Sequence, residues 1–257
     1  MGSVSGGCVE GDILETATAV IASGVHQVKR YGVADGSVWE VGLPCGGDIL
    51  VLIQPVREGG YSPDLFDRIR DANSAGQTLV VRTDLETGLS SLDAGSFANI
   101  YAPPRRLLIV GAVEIARPLA RLAQDAGVDV TVIDPRGRFL TEERFPGVSL
   151  DDRWPDEAIA AHRPDDRTAV VTLSHDPKID DPALQAALAA PTAYVAALGS
   201  ASSHAARLVR LEGLGCTAEQ LARIEGPAGV PINAINASEI AISIAGGMIR
   251  AFNHGRR

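Results

Sequence analysis

Aromatic residues make up only 4% of this 257-residue chain, so Val, Ile, Leu and Ala must fill its core. Cysteine is scarce as well: there are three, an odd number, which does not fit a disulfide framework and suits a reducing compartment. No apolar run approaches the ~18 residues that a bilayer requires, and no basic stretch leads into an apolar one as a secretory signal would. Positive charge is in deficit. The net charge of −9 argues against a general nucleic-acid or anionic-membrane surface. With 46% hydrophobic and 21% charged residues, the composition predicts a soluble cytoplasmic protein of one or two domains.

Against this background two cysteines stand in glycine-rich settings. Cys8 lies in Gly2-Ser-Val-Ser-Gly-Gly-Cys-Val-Glu10 and Cys45 in Gly42-Leu-Pro-Cys-Gly-Gly47. Glycines beside a cysteine let backbone N–H groups converge on an anion while leaving the sulfur uncovered. Cys8 also precedes a predicted helix, whose N-terminus favours the thiolate. Ser3 and Ser5 add hydroxyl donors, and Gly6, Gly7, Gly46 and Gly47 shape the two loops. The bland alternative is a pair of small buried apolar residues. Cys216 lacks such a setting and is read as structural. With no Cys-x-x-Cys and no adjacent histidine pair, no metal site is expected.

Periodicity predicts helices over residues 9–22 and 64–74, and strands over 25–31, 38–41, 48–53 and 77–82, with 48–53 a buried strand. Consecutive prolines in Ala102-Pro-Pro-Arg105 mark a linker. Two domains are therefore expected, 1–101 and 105–257. Beyond the linker, strands at 107–110, 130–133, 169–173 and 193–197 alternate with helices at 115–126, 157–162 and 182–189. Such alternation predicts an α/β fold, a Rossmann-like parallel sheet with helices on both faces. Further helices are expected at 204–212, at 217–224 behind a Thr217/Gln220 capping box, and from 239 to 252 after Ser238.

Leu107-Leu-Ile-Val-Gly-Ala-Val-Glu-Ile-Ala116 occupies the place of a dinucleotide-binding glycine loop, but keeps only Gly111 and the closing Ala116. Val113 replaces the glycine that lets backbone approach a pyrophosphate, and Glu114 adds negative charge where an anion should sit. Asp134 stands at the usual place of a ribose-binding carboxylate. The residues predict a Rossmann scaffold without tightly bound NAD(P). Ser174, His175 and Asp176, and Gly199 with Ser200, follow strands whose carboxyl ends line the expected crevice. His175 beside Asp176 is a candidate acid/base pair; alternatively, Asp176 caps a turn and His175 is solvated. His26 and His162 are expected at the surface.

Taken together, residues 2–12, 44–55, the stretch ending in Asp134-Pro-Arg136, Leu173-Ser-His-Asp176 and residues 194–207 resemble the XdhC/CoxI family. The resemblance implies a small α/β N-terminal XdhC/CoxI-type domain followed by a Rossmann-like one. It implies a cytoplasmic accessory protein that binds molybdenum cofactor (molybdopterin) and assists its sulfuration and insertion into a molybdenum hydroxylase apoenzyme of the xanthine or carbon monoxide dehydrogenase type. A cysteine desulfurase and a second copy of the chain are further expected partners. The carry-over places Cys8 and Cys45 at the cofactor site, with Gly6, Gly7, Gly46 and Gly47 shaping it; Ser3, Ser5, Gly111, Asp134, Ser174, His175, Gly199 and Ser200, read from the loops and strand ends, complete the expected cofactor-binding set, and no residue is given a catalytic role. Family members carry a segment before the first motif, so the first domain is expected to be trimmed here. Two other readings stay open: an NAD(P)-dependent oxidoreductase and a persulfide-carrying sulfur-transfer protein.

Overall fold

A computed structural model describes residues 4, 7, 9–32 and 48–254, and the expected strand at 38–41 lies outside them. The chain divides between Pro103 and Pro104 into two compact units. Among the described residues, no helix is long and apolar enough to cross a membrane.

The first unit holds helix α1 (Glu10–Ser23) with the antiparallel pair β1 (Gln27–Tyr31) and β2 (Ile49–Ile53). Gly24 ends α1 in the left-handed conformation that glycine adopts without steric penalty, its N–H bonded to the Val20 carbonyl. A second group joins helix α2 (Asp64–Ser74) to the antiparallel strands β3 (Leu79–Thr83), β4 (Ser90–Ser91) and β5 (Phe97–Tyr101), with β3 central. The cores are small. Val9 and Tyr31 anchor one, and Tyr61, Leu65 and Val81 the other. The apolar run of β2 does not mark a buried strand: Leu50 is 50% exposed, because the strand has a single described neighbour in its sheet and one helix to pack against.

The second unit is doubly wound. Its strands are β6 (Arg105–Val110), β7 (Val128–Ile133), β8 (Ser149–Asp151), β9 (Thr168–Thr172), β10 (Tyr194–Ala197) and β11 (Ile224–Glu225). They form one parallel sheet in the order β11-β10-β9-β6-β7-β8. The apolar run 107–110 is continuous because both faces of β6 are covered. Leu107 and Ile109 meet helix α3 (Ala116–Asp125) and helix α8 (Ala237–Phe252) through Leu119, Ile244 and Met248. Leu108 and Val110 face helices α4 (Pro155–His162), α5 (Pro177–Leu188) and α6 (Ala201–Gly213) through Ile159, Leu184 and Leu211.

Several expected boundaries move. Helix α5 starts at Pro177, five residues before the expected start at 182, because Asp176 caps it; burial of Ile179, Ala183 and Leu184 offsets the bond that Pro182 cannot donate. The expected helix 217–224 stops early as α7 (Ala218–Leu221), though its capping box forms; Ile224 instead pairs with Val195 as an edge strand. Asn236, not Ser238, caps α8, accepting the Glu239 N–H at 3.0 Å.

Candidate functional site

Chain order reverses between β6 and β9, and in open parallel sheets a crevice opens beyond the strand ends at such a point. Gly111 and Ser174 face each other there. Gly111 has φ of 104°, and a Cβ on it would lie 2.9 Å from the Ser174 nitrogen, so glycine alone lets the two turns meet.

The next turn consumes its own anion site. The Ala112 N–H donates to Asp134 Oδ2 at 2.8 Å, and the Arg136 guanidinium grips both Asp134 oxygens at 2.8 Å. Asp134 is fully buried. Burial pushes its carboxyl up, but the bonds from Arg136 and the Ala112 and Arg136 amides outweigh this and leave it below the usual range. The carboxylate expected to meet a ribose is thus spent on Arg136 and the loop. A dinucleotide would have to displace these bonds and pass the Val113 side chain.

Beyond β9, the Ser174 hydroxyl donates to Asp180 Oδ1 at 2.6 Å and accepts the Asp176 N–H at 3.1 Å. Asp176 accepts the Lys178 N–H at 3.0 Å as the α5 cap, which makes it a capping group, with His175 exposed beside it. Asp180 is buried, and burial pushes its carboxyl up against the Ser174 bond. Beyond β10, Ser200 caps α6 by accepting the Ser203 N–H at 3.1 Å. Beneath it, buried Arg207 donates to the Leu198 carbonyl at 2.7 Å, and its Nε has no hydrogen-bond partner among the described residues. Asp180 and Arg207 were not singled out from sequence. Asp180 sits on the buried face of α5, at helical spacing from Ala183, Leu184 and Ala187, and that misplaced charge was the available signal.

In the first unit Ser3, Ser5, Gly6, Cys8, Cys45, Gly46 and Gly47 lie outside the described residues. Of their neighbours in the chain, Val4, Gly7 and Val9 donate their N–H groups to the Glu10 carboxylate at 3.1, 2.8 and 3.2 Å. Two residues on, Asp12 accepts from Lys29 Nζ at 2.7 Å and from the Tyr31 hydroxyl. Burial and that bond push the Tyr31 hydroxyl up to about 12.

Cys216 is buried, and burial pushes its thiol up. His26 and His162 are half-buried rather than at the surface, with Nε2 at 3.0 Å from the Leu85 carbonyl and 3.1 Å from Asp151 respectively. Among the described residues, no group of three or more His, Cys, Asp or Glu could hold a metal ion.

Comparison with known proteins places these features in a lineage. The family model for the XdhC Rossmann domain matches residues 107–248, and that of the XdhC and CoxI family matches residues 1–32. The molybdenum cofactor insertion chaperone PaoD of Escherichia coli is 32% identical over 95% of this chain and 71% of its own length. A protein of Bacillus subtilis described as a probable xanthine dehydrogenase subunit is 24% identical over 97% of this chain and 84% of its own. A crystal structure from Bacillus halodurans, described as a xanthine dehydrogenase, shares the fold with a TM-score of 0.82 and 24% identity. The match covers 99% of this chain and 83% of that one.

Proposed function

The chain belongs to the XdhC and CoxI family, and on that premise we propose that it takes part in molybdenum-cofactor maturation. In this reading it binds the cofactor as cargo in the cytoplasm, assists its sulfuration and hands it to a molybdenum hydroxylase apoenzyme of the xanthine or carbon monoxide dehydrogenase type. The observation that carries this is the 32% identity to the PaoD insertion chaperone along 95% of the chain. The chemistry of the residues supports it. Thiolates are soft ligands suited to a sulfur-rich molybdenum centre, and Cys8 and Cys45 stand among glycines that leave sulfur accessible. In the second unit, Gly111, Ser174, His175, Gly199 and Ser200 supply a strand-end surface, while Asp134 is committed to Arg136. That commitment weighs against the oxidoreductase alternative.

The test mixes the full chain with molybdenum cofactor and, separately, with NAD(H), in the wild type and in Cys8→Ala and Cys45→Ala. The expected result is cofactor binding and transfer to apoenzyme that both cysteine variants weaken. Tight NAD(H) binding indifferent to the cysteines, with no cofactor bound, would overturn the reading. For the sulfuration step, a cyanide-labile sulfur is expected on Cys8 or Cys45 after incubation with a cysteine desulfurase and cysteine. Its absence would leave insertion without sulfur handling.

A further inference from the structure

Ile235 is the most exposed large apolar side chain among the described residues, at 88%. A single exposed isoleucine is ordinary on a protein surface, but this one stands on a fixed backbone. Its N–H donates to Glu239 Oε2 at 2.7 Å, and Glu239 Oε1 accepts from the Asn236 side chain at 2.8 Å. Asn236 in turn caps α8 by accepting the Glu239 N–H. Held at the start of a helix, this knob loses little freedom when something covers it. Two further isoleucines extend the apolar surface. Ile232 lies three residues before it, and Ile242 lies one turn beyond Ser238 on the same side of α8; they are 45% and 53% exposed.

Beside the knob is a groove of about 560 Å³, lined by Ala237 and Ser238, by the outer side of α3 and by residues 143–148. Ile235 is two residues from Ala237, so knob and groove wall are no more than about 8 Å apart along the chain. Yet Ile235 does not enter the groove of its own chain. The least exposed lining residues, Ala120, Phe145 and Val148, are apolar. Arg144 and Gln124, in the same lining, are already bonded to the Phe139, Ala112 and Gly147 carbonyls. The base of the groove therefore suits an apolar side chain. Its exposed rim carries Arg121 on α3 and Glu143 opposite in sign, and neither forms an ion pair among the described residues. An acidic partner would be repelled by Glu143 and a basic one by Arg121. A two-fold axis sets each Arg121 against Glu143 of the second copy, which satisfies both charges at once. We propose that this face is where a second copy of the chain docks, each Ile235 seated in the groove of the other. The apolar contact supplies the affinity and the crossed charges fix the register. This inference goes beyond the cofactor reading and does not depend on it.

Sedimentation velocity of the full chain, over a concentration series into the high micromolar range, is expected to show a reversible dimer. Ile235→Gln, at a site too exposed to disturb the fold, should weaken it roughly tenfold or more, through loss of a buried apolar side chain. Arg121→Glu and Glu143→Arg should each weaken it roughly tenfold, because each sets like charges against one another. Mixing those two variants should restore the dimer as a mixed pair, and so should combining both substitutions in one chain. A monomer throughout the series would overturn the proposal, as would a dimer that all three single variants leave intact. Two charge variants that are each monomeric and do not pair when mixed rule it out as well, since the charges are then not crossed. A monomeric wild type whose capture by a molybdenum hydroxylase apoenzyme is weakened by Ile235→Gln assigns the face to that enzyme and removes the second copy. Cofactor binding by a monomer sinks this inference and leaves the proposed function; a dimer that binds no cofactor does the reverse.

Discussion

The two units solve the same problem, burying apolar surface, in opposite ways. In the second unit one sheet carries helices on both faces, and Leu107, Leu108, Ile109 and Val110 are all at most 1% exposed. In the first unit two small antiparallel sheets each pack one helix, and Leu14, Ile21 and Leu50 stay at least half exposed. The second unit can therefore bury Asp134, Asp180 and Arg207 at its strand ends and still be held by its core. The first unit adds polar ties to its small cores, with Glu10 gathering the N-terminal amides and Asp12 joining α1 to β1 through Lys29 and Tyr31. The well-cored unit thus holds the strand-end turns, and the lightly cored unit holds the cysteine motifs.

The strongest way to break that contrast is through the cores. Leu119→Ala, at a fully buried site between α3 and the sheet, is expected to destabilise the second unit by about 3–4 kcal/mol. Leu65→Ala, in a three-residue cluster that can relax, should lose about 2 kcal/mol. Urea denaturation followed by site-specific probes in each unit would measure both, and equal losses would refute the contrast.

A smaller effect concerns polar ties in the well-cored unit. Asp151 is nearly buried, and hydrogen bonds from the Arg153 side chain and amide and from His162 lower its carboxyl to about 2. A depressed carboxyl stabilises the fold above its ordinary value near 4, and that contribution fades as pH falls through about 2. Asp151→Asn should therefore cost about 2 kcal/mol at pH 7, with the difference from wild type closing toward pH 2. Parallel pH–stability curves would refute this assignment.

The smallest effect sharpens the picture of the first unit. Its Tyr31 hydroxyl is raised by burial and by Asp12, so the neutral phenol favours the folded state at ordinary pH, and this is lost as pH rises through about 12. Asp12→Asn should bring the Tyr31 absorbance transition down from there while changing stability at pH 7 by less than about 1 kcal/mol, because the Asp12–Lys29 pair is partly open to solvent. A large loss of stability would mean that this polar tie carries more of the first unit than its exposure allows.

How far the residues alone could be read follows the same division. The strands at 107–110 and 169–173 were legible because a parallel strand covered on both faces must be apolar throughout, and helix α2 was legible from its period. The identical signal misled at 48–53, because a continuous apolar run does not say whether a second layer exists to cover it. Strand β5 went unassigned, its pairing with β3 being a contact made far along the chain. At the crevice, Gly111, Asp134 and Ser174 were named from position, but their partners were not.

By itself, the order of residues determined the α/β alternation, the damaged glycine loop and the family resemblance, because these depend on local periodicity and short spacing. Only the tertiary structure decided that Asp134 is spent on Arg136 and Ala112, that Asp180 and Arg207 are buried at the strand ends, and that Ile235 stands exposed beside a groove lined from three parts of the chain. Hydrogen bonds and burial join residues distant in the chain, and no local pattern encodes which carboxylate will meet which guanidinium.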